Sequence, residues 1–222
     1  MIKSSRFRRY LPVALSLFAA GALQAQNYNE IGDAGSSVGG AQSTGANGAG
    51  LSSISGNILN GLDGDFFYIN ITNPAAFSAT TVGGSVLDTM IYLFTMNGNA
   101  IILNDDAPGG ASLQSTLPAG SFTLAAGTYI IGISLSGSEP INLSNQLLFA
   151  DGVFSTDIRG PRFGANGPVT GVTQSTFPGT GSYTLALTGA TASAVPEPST
   201  VALLAMSGIG GLIVLRRRVR RS

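Results

Sequence analysis

The sequence contains no cysteine, no histidine and no tryptophan, and its only lysine is Lys3. Without cysteine the chain forms no disulfides, and without cysteine or histidine it cannot build the usual zinc sites. Nucleophilic catalysis by Ser-His-Asp or Cys-His arrangements is excluded for the same reason. A Ser-Lys mechanism also fails, because Lys3 lies in a segment interpreted below as a leader. Among hydrolytic mechanisms, only a pair of carboxylates remains open.

Positive charge is scarce in the middle of the chain. The 222 residues include 11 basic and 11 acidic ones, so the formal net charge is zero. Nine basic residues lie near the two ends, however, and only Arg159 and Arg162 remain between residues 26 and 194. The same stretch holds ten acidic residues, which gives it a net charge of minus eight. Nucleic-acid binding needs a basic surface, so this balance excludes a nucleic-acid partner and favours solubility and divalent cations.

Residues 1–25 have the composition of a secretory signal peptide. Four basic residues near the start precede an apolar stretch from Leu11 to Leu23, and small residues follow it. We predict a helical signal peptide that is cleaved between Ala25 and Gln26. Cleavage after Ala20-Gly21-Ala22 and retention of the segment as a membrane anchor are the alternatives.

Residues 26–50 are rich in glycine, serine, alanine and asparagine. Few of these side chains could join a core, so the composition predicts an extended or loosely packed spacer. Over residues 51–190 the pattern changes to short β-type segments separated by turn residues, with no amphipathic helical period. This pattern predicts an all-β domain, an antiparallel β-sandwich or jelly roll.

Side-chain alternation indicates which faces of that domain are buried. Phe67, Ile69 and Ile71 occupy alternate positions of one strand and should share a face. The run Met90–Phe94 is apolar throughout, which is typical of a strand buried on both faces. Asn97-Gly98 follows this run and predicts a tight hairpin to the next strand.

The hairpin would bring three carboxylates to one end of the sandwich. With two residues in the turn, the numbers of facing residues sum to 195, so Asp88 lies near Asp105 and Asp106. Three carboxylates repel one another unless a cation lies among them, and Ca²⁺ prefers such oxygen ligands. These three residues are therefore a candidate Ca²⁺ site, the only one that the sequence suggests, although the prediction for the chain as a whole is that it needs no cofactor. The alternative is that they are solvated turn residues.

Other side chains give weaker signals. Asp63 and Asp65 could form a second acidic cluster. Arg159 and Arg162 could neutralise carboxylates or bind an acidic glycan, or they are exposed loop charges. The aromatic residues that could stack on sugar rings are Tyr92, Phe94, Phe154 and Phe163. No carboxylate pair stands out as the acid and base of a glycan hydrolase, and we predict no enzymatic activity.

The C-terminal stretch, residues 191–222, has three parts. It contains the turn Val195-Pro196-Glu197-Pro198-Ser199-Thr200 and then an uncharged apolar segment that reaches Leu215. The arginines that follow are Arg216, Arg217, Arg218, Arg220 and Arg221. We predict a single transmembrane helix over residues 199–216, with the arginines on the cytoplasmic side as a stop-transfer signal.

This order of Pro-Glu-Pro turn, short apolar helix and arginine run resembles the PEP-CTERM sorting signal of bacterial exported proteins. The resemblance implies that a membrane enzyme, exosortase, recognises the tail in the inner membrane and processes it near Glu197. Residues 195–200 would then be the sorting and processing motif. The alternative is a plain membrane anchor that is not processed.

A second resemblance covers residues from about Ile54 to Leu135. An aspartate before a Phe- and Tyr-rich strand is followed by Leu87–Phe94, Asn97-Gly98, Asn104-Asp105-Asp106 and Leu124–Tyr129. These segments resemble the bacterial pre-peptidase C-terminal domain. The resemblance implies an antiparallel jelly-roll sandwich of the kind appended to secreted enzymes and surface proteins, and related domains in some secreted enzymes bind calcium. Residues 138–178 depart from the pattern, which indicates an insertion.

These observations predict an exported, non-catalytic protein of the cell surface or extracellular matrix in a cell that produces exopolysaccharide. It would be anchored transiently in the inner membrane and then processed by exosortase. One alternative is a carbohydrate-binding sandwich, with or without calcium, that holds exopolysaccharide. The other is a secreted glycan hydrolase.

Overall fold

The computed structural model describes residues 25–152, 155–177 and 179–194. This part of the chain is all β and contains no helix, which confirms the predicted class. The predicted signal helix and the predicted transmembrane helix over residues 199–216 lie outside the described residues. The strands, in chain order, are β1 (Gln26–Asn29), β2 (Gln42–Ser43), β3 (Leu51–Ile58), β4 (Gly64–Ile71), β5 (Ser78–Thr80), β6 (Thr89–Thr95), β7 (Ala100–Asn104), β8 (Thr116–Leu117), β9 (Gly127–Leu135), β10 (Pro140–Ile141), β11 (Gly171–Val172), β12 (Gly181–Thr188) and β13 (Ala190–Ala192).

Two main sheets contain most of these strands. The first sheet has the order β1-β3-β12-β5-β8, and the second has the order β13-β4-β9-β6-β7, with β2 also paired to β4. Strands β10 and β11 form a small separate pair. Two pairs, β1 with β3 and β2 with β4, are parallel, so the sheets are mixed rather than purely antiparallel as predicted. The reason is the path of the chain: it leaves β1, contributes β2 to the other sheet and returns as β3, and such a crossover permits parallel pairing.

Residues 26–50, which the sequence predicts to be an extended or loosely packed spacer, contribute β1 and β2 to the two sheets. The backbone N–H of Gln26 donates to the carbonyl of Gly50 over 2.7 Å. The Gln42 side chain accepts hydrogen bonds from the Tyr28 hydroxyl at 3.0 Å and the Ile31 N–H at 3.1 Å. Backbone groups can pair with a sheet edge whatever side chains they carry, so a segment poor in apolar residues still joined both sheets.

The main core lies between the two sheets, which pack face to face as a β-sandwich. Phe67, Ile69 and Ile71 of β4 all lie in this core, as the alternation predicted. The first sheet faces them with apolar side chains from β3, β5, β8 and β12, all buried: Leu51, Ile54, Ile58, Ala79, Leu117, Tyr183, Leu185 and Leu187.

A third layer covers the outer face of the second sheet. The apolar run of β6 is buried on both faces, as predicted, because Met90, Tyr92 and Phe94 point away from the main core into a second cluster. Residues of the predicted insertion cover that face, among them Phe149, whose ring centroid lies 5.5 Å from that of Phe94 and 6.0 Å from that of Tyr92. Such aromatic pairs contribute roughly 0.5–1.5 kcal/mol each beyond the area they bury.

The β6–β7 hairpin has the predicted register but a different turn. The pairs Ile91–Asn104, Tyr92–Leu103 and Leu93–Ile102 all have numbers that sum to 195. The turn itself holds three residues, because the Thr95 N–H donates to the Asn99 carbonyl and Gly98 adopts a φ of 82°. An irregularity in pairing after Leu93 then absorbs the extra residue. Turns that place glycine in the left-handed conformation commonly carry such a bulge, so the register beyond it is preserved.

Candidate functional site

A surface pocket of about 410 Å³ lies at the end of the β6–β7 hairpin. Asp88 precedes β6, and Asp105 and Asp106 follow β7, so the hairpin places all three at its rim. The other sides of the pocket are formed by the segment after β9 and by the outer layer. These parts of the chain contribute Glu139, Ser155, Arg159 and Phe177. The pocket therefore forms where the sandwich meets the inserted segment.

The three aspartates of the pocket, which we call the pocket cluster, come together as predicted. One carboxylate oxygen from each of Asp88, Asp105 and Asp106 lies within 4.8 Å of the other two. The register of the hairpin is the reason, since it sets Asp88 opposite the residues that follow β7. The structure thus confirms their convergence, while cation binding there stays a prediction.

Hydrogen bonds position the pocket cluster but leave some of its carboxylate oxygens without a partner. The Ser155 hydroxyl donates to Asp106 Oδ2, and the Asp106 N–H donates to the Ser155 carbonyl over 3.0 Å. The Ser136 N–H donates to the Asp88 carbonyl, also over 3.0 Å. Asp88 Oδ1 and Asp105 Oδ1 are buried and have no hydrogen-bond partner. Two acceptor atoms are therefore left for a cation or another ligand.

Burial and mutual repulsion disfavour the ionised form of this cluster. Burial, followed by the charges of Asp106 and Asp88, raises the pKa of Asp105 to about 6, although the Ser136 hydroxyl and Arg159 act in the opposite direction. Burial and then the charge of Asp106 also raise the pKa of Asp88. A bound cation would relieve both effects.

The two arginines of the central region are each in an ion pair. Arg159 Nη1 lies 3.0 Å from Glu139 Oε1, and the Arg159 side chain is only 10% exposed. Its backbone also pairs with Leu103 in both directions, at 2.8 and 2.9 Å. Arg162 pairs with Asp151 at the surface. The sequence left open whether these arginines neutralise carboxylates, bind an acidic glycan or are exposed loop charges. In the structure, both form ion pairs with carboxylates.

Most of the aromatic residues considered for sugar stacking are part of the core. Tyr92 and Phe94 are completely buried. Phe163 is fully exposed on the outer layer, and Phe154 lies outside the described residues. The sequence analysis missed Phe177, which is about half exposed and borders the pocket. No local pattern marks it, because its position depends on how the inserted segment folds back.

A second group of acidic residues gathers at the N-terminal segment. Asp65 lies with Glu30 and Asp33, one oxygen of each within 4.8 Å of the others, and we call these three the N-terminal cluster. Asp63, which the sequence grouped with Asp65, does lie beside it, and it also accepts a hydrogen bond from the Leu59 N–H at 2.5 Å. Burial, followed by the charges of Asp63 and Glu30, raises the pKa of Asp65 to about 9. Sequence analysis missed Glu30 and Asp33 because it assigned them to the spacer.

The predicted signal-peptide junction lies at the edge of the described residues. Gln26 is the first residue of β1, so cleavage after Ala25 would leave the strand intact. Residues 195–200 of the sorting motif and the arginines from Arg216 to Arg221 lie outside the described residues. Within the described residues, no helix has the length and apolar character needed to cross a membrane.

Comparison with protein-family models gives two matches. Residues 63–135 match the bacterial pre-peptidase C-terminal domain. Residues 194–221 match the PEP-CTERM protein-sorting motif. Both resemblances noted in the sequence are confirmed. The second match implies an exported chain that is anchored transiently in the membrane and processed by exosortase, a membrane enzyme.

The matched regions leave part of the described structure unaccounted for. Strands β1 to β3, the outer layer and β12 lie outside residues 63–135. Neither the curated proteins nor the solved structures contain a match to the chain. The pocket and the N-terminal cluster each combine residues from inside and outside the matched domain, so their interpretation depends on the geometry described above.

Proposed function

We propose that this chain is a non-catalytic component of the cell surface or extracellular matrix, delivered by the exosortase pathway. The PEP-CTERM match over residues 194–221 carries this proposal, because a sorting motif of this kind supports export to the surface by the exosortase pathway. Glu197 lies between two prolines in the sequence and would provide a charged recognition point next to the membrane. The apolar segment after Glu197 would insert into the membrane, and the arginines would stop translocation of the chain and remain on the cytoplasmic side.

Intact mass of the protein recovered from its native host, after separation of envelope and medium, tests this proposal. We expect a species that begins near Gln26 and ends near Glu197, at the surface or in the medium. A species that still carries Arg216 to Arg221 would instead indicate a membrane-anchored sandwich without processing.

Substitution of the central glutamate tests the recognition step. Glu197→Gln should leave most of the chain unprocessed in the membrane fraction, because it removes the charge between the two prolines. Asp151→Asn is a suitable control, since it removes an exposed carboxylate far from the tail in sequence and should be processed normally. Normal processing of the Glu197→Gln variant would contradict recognition by exosortase.

A second candidate function is calcium-assisted binding of exopolysaccharide at the pocket. The specific observation in its favour is the pocket cluster itself, with two buried oxygens that lack partners beside a half-exposed aromatic ring. Ca²⁺ takes six to eight oxygen ligands, so three carboxylates would leave coordination positions for water or for sugar hydroxyls. The ring of Phe177 would pack against a sugar face.

Retention on the cell's own polysaccharide tests this second function. We expect the wild-type protein to be retained in Ca²⁺ and released by a chelator, and Asp105→Asn to be retained weakly under both conditions. The Asp151→Asn variant should behave as the wild type. Retention that is indifferent to both the chelator and Asp105→Asn would exclude calcium-assisted binding at this pocket.

A further inference from the structure

The chain enters and leaves the sandwich along the same edge. The first sheet extends from β1 at one edge to β8 at the other, and the second extends from β13 to β7. An antiparallel bridge between Gly50 and Thr191 joins the edges that carry β1 and β13. The predicted signal peptide precedes Gln26 at the start of β1, and Val195 of the sorting motif comes three residues after the end of β13.

A single residue, Thr44, contacts both the point of entry and the point of exit. Its carbonyl accepts a hydrogen bond from Gln26 Nε2 at 3.4 Å. Its N–H donates to the Ser193 carbonyl at 3.1 Å, and its hydroxyl oxygen accepts from the Ser193 N–H at 3.0 Å. Ser193 is only 2% exposed. The two points therefore lie side by side in the folded chain.

Hydrogen bonds also hold the residues that lead into the sorting motif. The Ala192 N–H donates to the Ala49 carbonyl over 2.7 Å, and the Ala194 N–H donates to Asn47 Oδ1 over 2.8 Å. The fold thus fixes the chain up to the residue that precedes Val195. We call this part of the edge the exit surface, and it consists of Gln26, residues 44–50 and residues 191–194.

Covalent geometry limits how far the motif can lie from the exit surface. Glu197 comes three residues after Ala194, and at about 3.6 Å per residue or less it lies within about 11 Å of Ala194. Even a domain of about 100 residues has a radius of gyration of about 13 Å, which exceeds this reach. An enzyme that acts at Glu197 must therefore come against the exit surface when the sandwich is folded.

The exit surface carries no charge. Residues 34–62 and 163–194 contain no charged side chain, although residues 26–194 hold ten acidic residues and two basic ones. Ala46, Asn47, Gly48 and Ala194 of this surface are exposed. Covering a charge without pairing it is costly, whereas a partner can cover these residues without removing any charge from water.

We propose that the exit surface is the part of the folded sandwich that exosortase contacts when it processes the tail. The short chain between Ala194 and Glu197 enforces this contact, and the absence of charge permits it. The inference rests on the proposed function and adds a partner surface to it, because the enzyme then meets the sorting motif together with one defined edge of the sandwich.

Blocking the exit surface at one residue tests the proposal, since the chain has no cysteine of its own. Ala46→Cys places a single thiol on the exit surface. Ala111→Cys is the matched control, because Ala111 is also exposed and lies between β7 and β8 at the opposite edge. Both variants should fold, as each changes one exposed alanine.

Each full-length variant is purified in detergent, coupled to a long maleimide-polyethylene glycol and mixed with host membranes that contain a tagged exosortase. Intact mass then follows removal of the tail. The polymer on Ala46→Cys should abolish most of the processing seen with the same variant unmodified. The polymer on Ala111→Cys should leave the rate unchanged.

A spacer variant separates blocked contact from damage to the fold. About ten glycine and serine residues inserted between Ala194 and Val195 add up to about 35 Å of reach. The polymer-modified Ala46→Cys chain with this spacer should be processed as fast as its unmodified form. With a photoreactive benzophenone in place of the polymer, Ala46→Cys should cross-link to the tagged exosortase and Ala111→Cys should not.

Three results would overturn the inference while leaving the proposed function intact, because the unmodified chain would still be processed. One is an equal processing rate for the two modified variants, whether high or low. Another is failure of the spacer to restore processing. The third is cross-linking of Ala46→Cys to lipid alone, which would place this surface against the membrane instead. Absence of processing in the unmodified chain would contradict the proposed function, and this inference with it.

Discussion

The pocket cluster and the N-terminal cluster contain the same chemistry in different surroundings. In each, three carboxylates place one oxygen within 4.8 Å of the others. The pocket cluster is partly exposed and has Arg159 nearby, which lowers the pKa of Asp105 against the effect of burial. The N-terminal cluster includes a fully buried aspartate, and no cationic side chain among the described residues acts on it in this way. Burial and the nearby countercharge, rather than the number of carboxylates, set the electrostatic cost.

The largest expected difference between the clusters is in how stability depends on pH. The pKa of Asp65 is raised to about 9 in the folded chain, whereas its ordinary value is 3.8. The folded state therefore holds a proton that the unfolded state has released, and stability should fall as pH rises from about 4 to 9. The slope for one such proton is about 1.4 kcal/mol per pH unit. Urea unfolding in a chelator at several pH values measures it.

Asparagine variants assign this pH dependence to one cluster or the other. Asp65→Asn should remove most of the slope above pH 6. Asp105→Asn should change the slope only between about 4 and 6, because the pKa of Asp105 is raised to about 6. Asp151→Asn should keep the wild-type profile. Equal slopes above pH 6 in the wild type and in Asp65→Asn would show that Asp65 is not the group responsible.

Substitution of a glycine beside the N-terminal cluster should lower the free energy of unfolding through a steric clash. In Gly56→Ala the new methyl group would lie 2.4 Å from Glu30 Oε2 and 2.5 Å from the Tyr183 hydroxyl oxygen. Such overpacking costs about 1–3 kcal/mol of unfolding free energy. Gly160→Ala is the matched control near the pocket, since nothing lies within 4 Å of its added Cβ. It should change stability by less than about 0.5 kcal/mol in urea unfolding. A neutral Gly56→Ala would contradict the close approach.

The smallest expected effect concerns the ion pair that borders the pocket. Glu139→Gln leaves Arg159, which is 10% exposed, without its partner. We expect a loss of about 1–2 kcal/mol, below the cost of breaking a fully buried pair. Asp151→Asn breaks the exposed pair with Arg162 and should cost less than about 0.5 kcal/mol. Thermal unfolding of both variants measures the difference, and equal losses would show that burial of the Arg159 pair has no energetic consequence.

The pocket cluster was largely predictable because a hairpin is a local structure. Asn97-Gly98 between two apolar segments fixed the register, and that register brought Asp88 to Asp105 and Asp106. The predicted register is correct although the predicted two-residue turn is not, because the irregularity after Leu93 offsets the third turn residue. Pairing between neighbouring strands is encoded by a pattern that spans few residues.

The N-terminal cluster and the outer layer were not predictable in this way. Glu30 and Asp33 lie in a glycine- and serine-rich stretch whose composition indicates a spacer, yet backbone hydrogen bonds attach that stretch to both sheets. The partners that border the pocket, Glu139 and Arg159, belong to a segment without clear periodicity. Contacts of this kind depend on where whole segments pack, and no local pattern encodes them.

The sequence by itself determined the all-β class, the buried faces of β4 and β6, the hairpin register and the sorting tail. Each of these rests on alternation, turn residues or the order of a short motif, which are local properties of the chain. Only the tertiary structure decided that Asp65 is buried beside Glu30 and Tyr183 and that the insertion covers the second sheet. Burial and long-range electrostatics arise when distant segments share one space, so they exist only once the chain has folded.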